Sequence, residues 1–250
     1  MLSMKWLFVF AAACAATCGL AQRITVSQGK FMLNGKPIWL NGANTPWNKW
    51  NDFGHRFDRK WWDTHFRQLN AAGVNSTRVW ISCDGANASP GIDSTGKIKA
   101  PTAQFWSDVD QLFAIAKARK VYVMIALISF DHSKPGNTNA NLWKSMYGSA
   151  ANRQSFVDNY AVPFVDRYKA NPFFFAVETG NELCWTWENH GIARAHTLDL
   201  VARVALAVRS RSQVLVTQGD GAGPKYNSPL FEGNFYSDAY LGGLQPGAKL

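Results

Sequence analysis

The sequence predicts an α/β fold, and within that class an incomplete (β/α)8 TIM barrel, on three observations. Strand-like and helix-like segments alternate along the chain, the strands are apolar on both faces, and a polar residue follows nearly every strand at its C-terminal end. Strands apolar on both faces belong to parallel sheets covered by helices. In a barrel the groups at the strand ends gather on one rim, and Asn44, Arg78, His132, Glu182 and Gln218 fall where that rim would lie. No glycine-rich phosphate turn follows a strand. "GDGAG" at 219–223 runs into Pro224 and not into a helix, which speaks against an open nucleotide-binding sheet.

The elements follow in order. "ITVSQGKFMLNGKPIWLNGANT" reads as short alternating runs broken at Gln28-Gly29 and Asn34-Gly35, a hairpin feeding a buried strand over Pro37–Leu40. In "DRKWWDTHFRQLNAAG" the apolar residues Trp61, Trp62, Phe66, Leu69 and Ala72 keep helical spacing, with Asp58 able to cap the start and Gly73 to stop the helix. "VNSTRVWIS" is a strand, "FWSDVDQLFAIAKARK" a helix with Phe105, Val109, Leu112, Phe113 and Ala116 on one face, and "VYVMIALIS" a buried strand. A polar loop is expected from Phe130 to about Gly148, then a helix over 152–168 kinked at Pro163. A strand from 173, the helix "ARAHTLDLVARVALAVRS" and the strand "QVLVTQG" complete the pattern. Strands recur roughly every 44 residues, so the chain accommodates about five βα units, with strands six to eight missing.

Composition narrows the function classes. The 250 residues include 11 Trp and 16 Phe, enough for a full core and for aromatic faces in a cleft. The formal charge of +9 comes from scattered Lys and Arg with no basic stripe, so nucleic acid is not an expected partner. "MLSMKWLFVFAAACAATCGLAQ" has the one-lysine start, short apolar run and small-residue end of a secretory signal peptide over 1–21, too short for a membrane span. The mature chain, 22–250, is therefore expected to be secreted or periplasmic, away from the membrane once cleaved. Cys83 and Cys184 remain after cleavage and read as buried free thiols, with a disulfide between them as the alternative. No Cys or His spacing suits a metal, and no cofactor is implied.

The chemistry concentrates in "NPFFFAVETGNELCW", a core strand that ends in carboxylates and tryptophan. A carboxyl group in an aromatic-lined cleft stays protonated closer to neutral pH, which suits a general acid acting on a leaving oxygen. The Asn181 amide can hold a substrate hydroxyl, and Trp185 and Trp187 offer faces on which a sugar ring can stack. A Glu capping the following helix fits the same dipeptide equally well.

Four motifs resemble glycoside hydrolase family 5, the retaining (β/α)8 glycosidases. "NGKPIWLNGANTPW" resembles the family's first-strand motif, "NSTRVW" its second-strand arginine motif, "ALISFDHS" its third-strand motif ending in His, and "VETGNE" the fourth-strand motif that carries the acid/base. The resemblance spans roughly residues 24–220 and implies that Glu182 is the catalytic acid/base and Asn181 the ligand of the reacting sugar's 2-hydroxyl. It places Arg78 beneath the nucleophile's carboxylate, with neutralisation of a structural Glu178 as the plain alternative. His132 would line the cleft and Trp47 would stack on substrate; a loop His and a core Trp are the corresponding alternatives. Residues 22–250 would then be the N-terminal part of the catalytic domain of a secreted endo-β-1,4-glycanase, its polysaccharide partner β-mannan in preference to β-glucan. A non-catalytic carbohydrate-binding protein on a degenerate barrel is the alternative. Two departures matter. Leu183 stands where the family usually has Pro, and no late acid suits the nucleophile: Asp220 and Glu232 fall in the loop after the fifth strand. The nucleophile is expected beyond residue 250, and this piece alone is expected to be inactive.

Overall fold

The structure, a computed structural model, describes residues 23–86 and 89–219. The expected signal peptide, "GDGAG" beyond its first glycine, Asp220 and Glu232 lie outside the described residues. The chain begins with a small antiparallel sheet of β1 (Ile24–Ser27), β2 (Lys30–Leu33) and β3 (Lys36–Pro37). Both of its turns need positive φ at two successive residues. Gln28-Gly29 and Asn34-Gly35 supply it, with φ of 49° and 71°, and of 53° and 74°. Ile24, fully buried, packs with Tyr122, Phe175 and Ala176, so this sheet closes the N-terminal end of the main sheet.

The main sheet is parallel, in the order β4 (Gly42–Asn44), β5 (Ser76–Trp80), β6 (Tyr122–Ser129), β7 (Phe174–Asn181) and β8 (Leu215–Thr217). The helices between them are α1 (Arg59–Ala71), α2 (Ala103–Arg119), α3 (Ala140–Gly148), α4 (Ala150–Phe156), α5 (Val162–Tyr168), α6 (Trp185–Glu188) and α7 (Arg194–Arg211). Strand neighbours in space are neighbours in sequence, joined by helical crossovers, which is the winding of a (β/α)8 barrel. Five of its parallel strands fall within the described residues.

Alternation along the strands decides what faces each side. Val79, Ile81, Val123, Ile125, Leu127 and Val177 point outward into the large core beneath the helices, with Trp62 and Phe66 of α1 and Phe105, Val109 and Leu112 of α2. The opposite face carries Arg78 and Trp80 on β5, level with Met124 and Ala126 on β6; Ala126 in turn stands level with Glu178 on β7 and Thr217 on β8. Asp58 caps α1 by accepting from the Trp61 amide at 3.0 Å, and Gly73, with φ of 77°, turns the chain after it.

Three expectations fail locally. The first barrel strand is Gly42–Asn44 and not Pro37–Leu40, where Trp39 stands 84% exposed. Gly42 sits at the start of this strand: a Cβ there would lie 3.0 Å from Ser76 Oγ, so the missing side chain eases the close approach of β4 to β5. The segment 130–148 is not a loop. It opens with a short 3-10 turn capped by Ser129 and continues into α3, whose Ala140, Trp143, Met146 and Tyr147 are buried at helical spacing among Asn, Ser and Gly. The helix ending at 168 starts at Ala150 and has no sharp break. It widens to a π-helical turn over Val157–Ala161, just before Pro163, whose ring nitrogen cannot complete the regular ladder.

Candidate active site

The C-terminal end of the parallel sheet opens on a cavity of about 330 Å³ lined by Arg78, Met124, Glu178, Asn181, Glu182, Thr217 and Gly219. Arg78 organises it. Its Nε donates to Glu178 Oε2 at 2.7 Å and its Nη2 donates to Asn181 Oδ1 at 2.9 Å, while Nη1 reaches Asn44 Oδ1 at 3.4 Å. The second Glu178 oxygen accepts from the Gly219 amide at 3.0 Å, so the carboxylate is held from β5 and from the end of β8. Glu178 is 1% exposed, and a buried carboxylate of this kind requires such compensation.

Glu182 lies just past β7, half-buried on the cavity wall, and its carboxylate has no hydrogen-bond partner among the described residues. Its backbone is left-handed, with φ of 48°, a conformation that costs a non-glycine residue about 1 kcal/mol or more. The turn redirects the chain into α6, where the Trp185 amide donates to Glu182 O at 3.1 Å. Gly180 makes the turn possible: a Cβ there would meet Ile128 Cγ1 and Leu183 Cδ2, each at 2.8 Å.

An aromatic group adjoins the cavity. The Arg78 guanidinium lies 5.4 Å from the Trp80 ring centre, and Trp80 and Trp50 each pack edge-on against Trp47 at 4.9 Å. Asp84 fixes this group from behind, accepting from Trp50 Nε1 at 2.6 Å and from Asn51 Nδ2 at 2.5 Å. Burial pushes the Asp84 carboxyl up, but these hydrogen bonds, with one from the Ala86 amide at 2.9 Å and the nearby His132, together hold the group below the ordinary carboxylate range.

The structure thus brings Arg78, Asn181 and Glu182 to one cavity and sets Trp47 beside it. Two placements differ from expectation. His132 does not line the cleft: it is fully buried, its Nε2 pairs with Ser82 Oγ at 2.9 Å, its Nδ1 lies 2.9 Å from Ser129 O, and its ring meets Trp143 edge-on at 4.3 Å. Trp185 is half-buried at the start of α6 and is not among the cavity-lining residues. Arg78 pairs with Glu178, as its alternative reading expects, and also lines the cavity. Gln218 turns away, donating to Gly180 O at 2.5 Å. The sequence reading missed Trp80 and Trp50; Trp80, two residues beyond Arg78 on the same strand face, was open to detection. Cys83 and Cys184 are both buried and are not bonded to each other, and burial pushes the Cys83 thiol up to about 12.

No family model matches the chain. Among curated proteins it is similar to mannan endo-1,4-beta-mannosidases: 24% identical over 165 residues to that of Cryptopygus antarcticus, and 25% over 158 residues to that of Mytilus edulis. These alignments cover 64% and 62% of this chain, and the chain spans only 42% of the length of each relative. Among solved structures it superposes on the beta-1,4-D-mannanase of Cryptopygus antarcticus with a TM-score of 0.72 at 20% identity, covering 90% of this chain and 68% of that one. A family 5 glycoside hydrolase from Bacteroides vulgatus matches with a TM-score of 0.51 at 18% identity, covering 78% and 39%. The solved neighbours bear out the barrel fold, incomplete among the described residues, and the curated relatives bear out a resemblance to mannan-cleaving glycosidases.

Proposed function

We propose that the chain is the acid/base-bearing part of a secreted endo-β-1,4-mannanase that works by double displacement. The observation that carries this reading is the convergence of Arg78, Asn181 and Glu182, whose carboxylate has no hydrogen-bond partner among the described residues, on one strand-end cavity, in a chain whose curated relatives are mannanases. The signal-like first 21 residues support secretion.

In this mechanism Glu182 gives its proton to the glycosidic oxygen as a second carboxylate attacks the anomeric carbon, breaking the bond to the leaving sugar. Glu182 then takes a proton from water, which displaces the enzyme carboxylate and restores both groups. The second carboxylate must stand about 5–5.5 Å away. Glu178 does not qualify: both of its oxygens are engaged, by Arg78 and by Gly219. The nucleophile is therefore assigned to a strand beyond the described residues, so the described piece has no turnover of its own. Asn181 holds a hydroxyl of the reacting sugar, and the half-buried Trp47, packed edge-on against Trp80, gives an apolar face for a neighbouring ring.

The test compares the full-length protein with its Glu182→Gln variant on soluble β-mannan and on carboxymethylcellulose. General acid–base catalysis contributes about 10²- to 10⁴-fold, so a loss of that order on mannan, with mannan the better substrate, is the expected result. Binding of mannan without cleavage by the unmodified full-length protein would replace this reading with that of a carbohydrate-binding barrel.

A further inference from the structure

We infer that Glu178 is a positioning residue: acting through Arg78, it decides which end of the Asn181 carboxamide faces a bound ligand. The inference deepens the proposed glycanase site and rests on it for the identity of the ligand, a sugar hydroxyl that needs a hydrogen-bond donor.

A side-chain amide has a donor end and an acceptor end of almost the same shape, so rotation by half a turn exchanges them at little steric cost. A guanidinium has donors only, in a fixed planar fork. Arg78 commits Nε to Glu178 and Nη2 to Asn181 Oδ1, so Asn181 must offer its carbonyl oxygen to Arg78. Its NH2 group is thereby turned the other way, at a residue that lines the cavity beside Glu182.

Glu178 fixes the fork. Salt-bridging to Nε alone leaves both Nη groups free to point along the strand ends, towards Asn181 on one side and Asn44 on the other. The carboxylate cannot follow a rotating arginine, because its other oxygen is tied to the Gly219 backbone amide and the side chain is buried. A Cβ at residue 219 would come within 2.7 Å of that oxygen, so the backbone grips it closely. Burial requires both Glu178 oxygens to be paired, and the pairing found here also divides the guanidinium donors, Nε to Glu178 and Nη2 to Asn181. Order thus passes from the end of β8 to Glu178, to Arg78, to Asn181.

The test is a double-mutant cycle in the full-length protein, with Glu178→Gln, which keeps size and shape, and Asn181→Ala. Glu178→Gln is expected to lower kcat/KM on mannan about 10- to 100-fold, because small misplacements in a site cost that much. In the Asn181→Ala background the same change is expected to cost less than about threefold, since the group it positions is gone. Losses that multiply, or a Glu178→Gln variant with unaltered kcat/KM, would overturn the inference. Should Glu178→Gln fail to fold, Arg78→Lys carries the test: the ammonium still pairs with Glu178 but has no fork, and its loss should likewise shrink when Asn181 is absent. The Asn181 side-chain NH2 signal in a ¹⁵N spectrum gives a readout independent of turnover. It is expected to shift in Glu178→Gln and to stay put if Glu178 merely supports the fold. If mannan is not cleaved at all, the glycanase reading fails on its own, while the NMR signal still decides the relay.

Discussion

At the end of β6, His132 has one ring nitrogen paired with Ser82 Oγ and the other set against Ser129, and it is sealed by Trp143. Burial holds its pKa at about 4, against an ordinary value of 6.5. In the unfolded chain the ring takes up a proton as the pH falls through 6.5, whereas in the folded protein it does so only near 4. Its contribution is therefore intact above 6.5 and is lost progressively as the pH falls from 6.5 to 4, by roughly 3 kcal/mol at most. Thermal melts across that window should show Tm falling with acidification, and His132→Gln should flatten the fall. An equal slope in the variant would remove the ring as the cause. Asp63 and Asp110, held low by their hydrogen bonds to Arg119 and Arg167, lose stability as the pH falls further, so the two proteins should run parallel again below 4. Nothing in "ALISFDHS" distinguishes this buried histidine from one that faces a cleft. The distinction comes from Ser82 and Trp143, one before it by 50 residues and one after it in a helix that the sequence reading took for a loop.

Strand β7 concentrates the constraints of the site in eight consecutive buried residues. Gly180 is its narrowest point: an alanine Cβ would lie 2.8 Å from Ile128 Cγ1 and Leu183 Cδ2, and 2.9 Å from Ile128 O. The last contact is backbone, which cannot rotate away. Gly180→Ala is therefore expected to destabilise the fold by about 1–3 kcal/mol, measured by denaturant unfolding, and to displace Asn181 and Glu182 together. A variant with unchanged stability would mean that β6 and β7 can separate locally without cost. At this scale the sequence was most legible where one period ran uninterrupted. The apolar runs of β5, β6 and β7 and the capped, amphipathic α1 and α2 match their readings closely. It was least legible where composition masked spacing, as in α3 with its Asn and Ser, or where strand position depends on a neighbour, as for β4 against Ser76. Of the site, the strand-end placement of Arg78, Asn181 and Glu182 was readable from motif order. The direction of each side chain was not, since Arg78 chooses Glu178 across three strands.

Across the whole molecule, β4 and β8 stand at the two edges of the parallel sheet among the described residues. Unpaired edge strands expose rows of backbone donors and acceptors that recruit other chains. The small N-terminal sheet adds to this. Ile24 and Leu33 face the closed end of the main sheet, but Val26 and Phe31, opposite each other in register and on that same face, are 54% and 40% exposed. Among the described residues, half of an apolar face thus overhangs where neither main-sheet strand nor helix covers it. This geometry fits a chain that covers 68% of a solved mannanase barrel. Residues 22–250 expressed by themselves are expected to self-associate in a concentration-dependent way, read by light scattering. Replacing Val26 and Phe31 together with Thr should lessen the association without abolishing it, because the edges of β4 and β8 remain. A monodisperse monomer with one sharp melting transition would show instead that these edges are closed within the 250 residues, and the expectation of an inactive piece would then lose its structural basis.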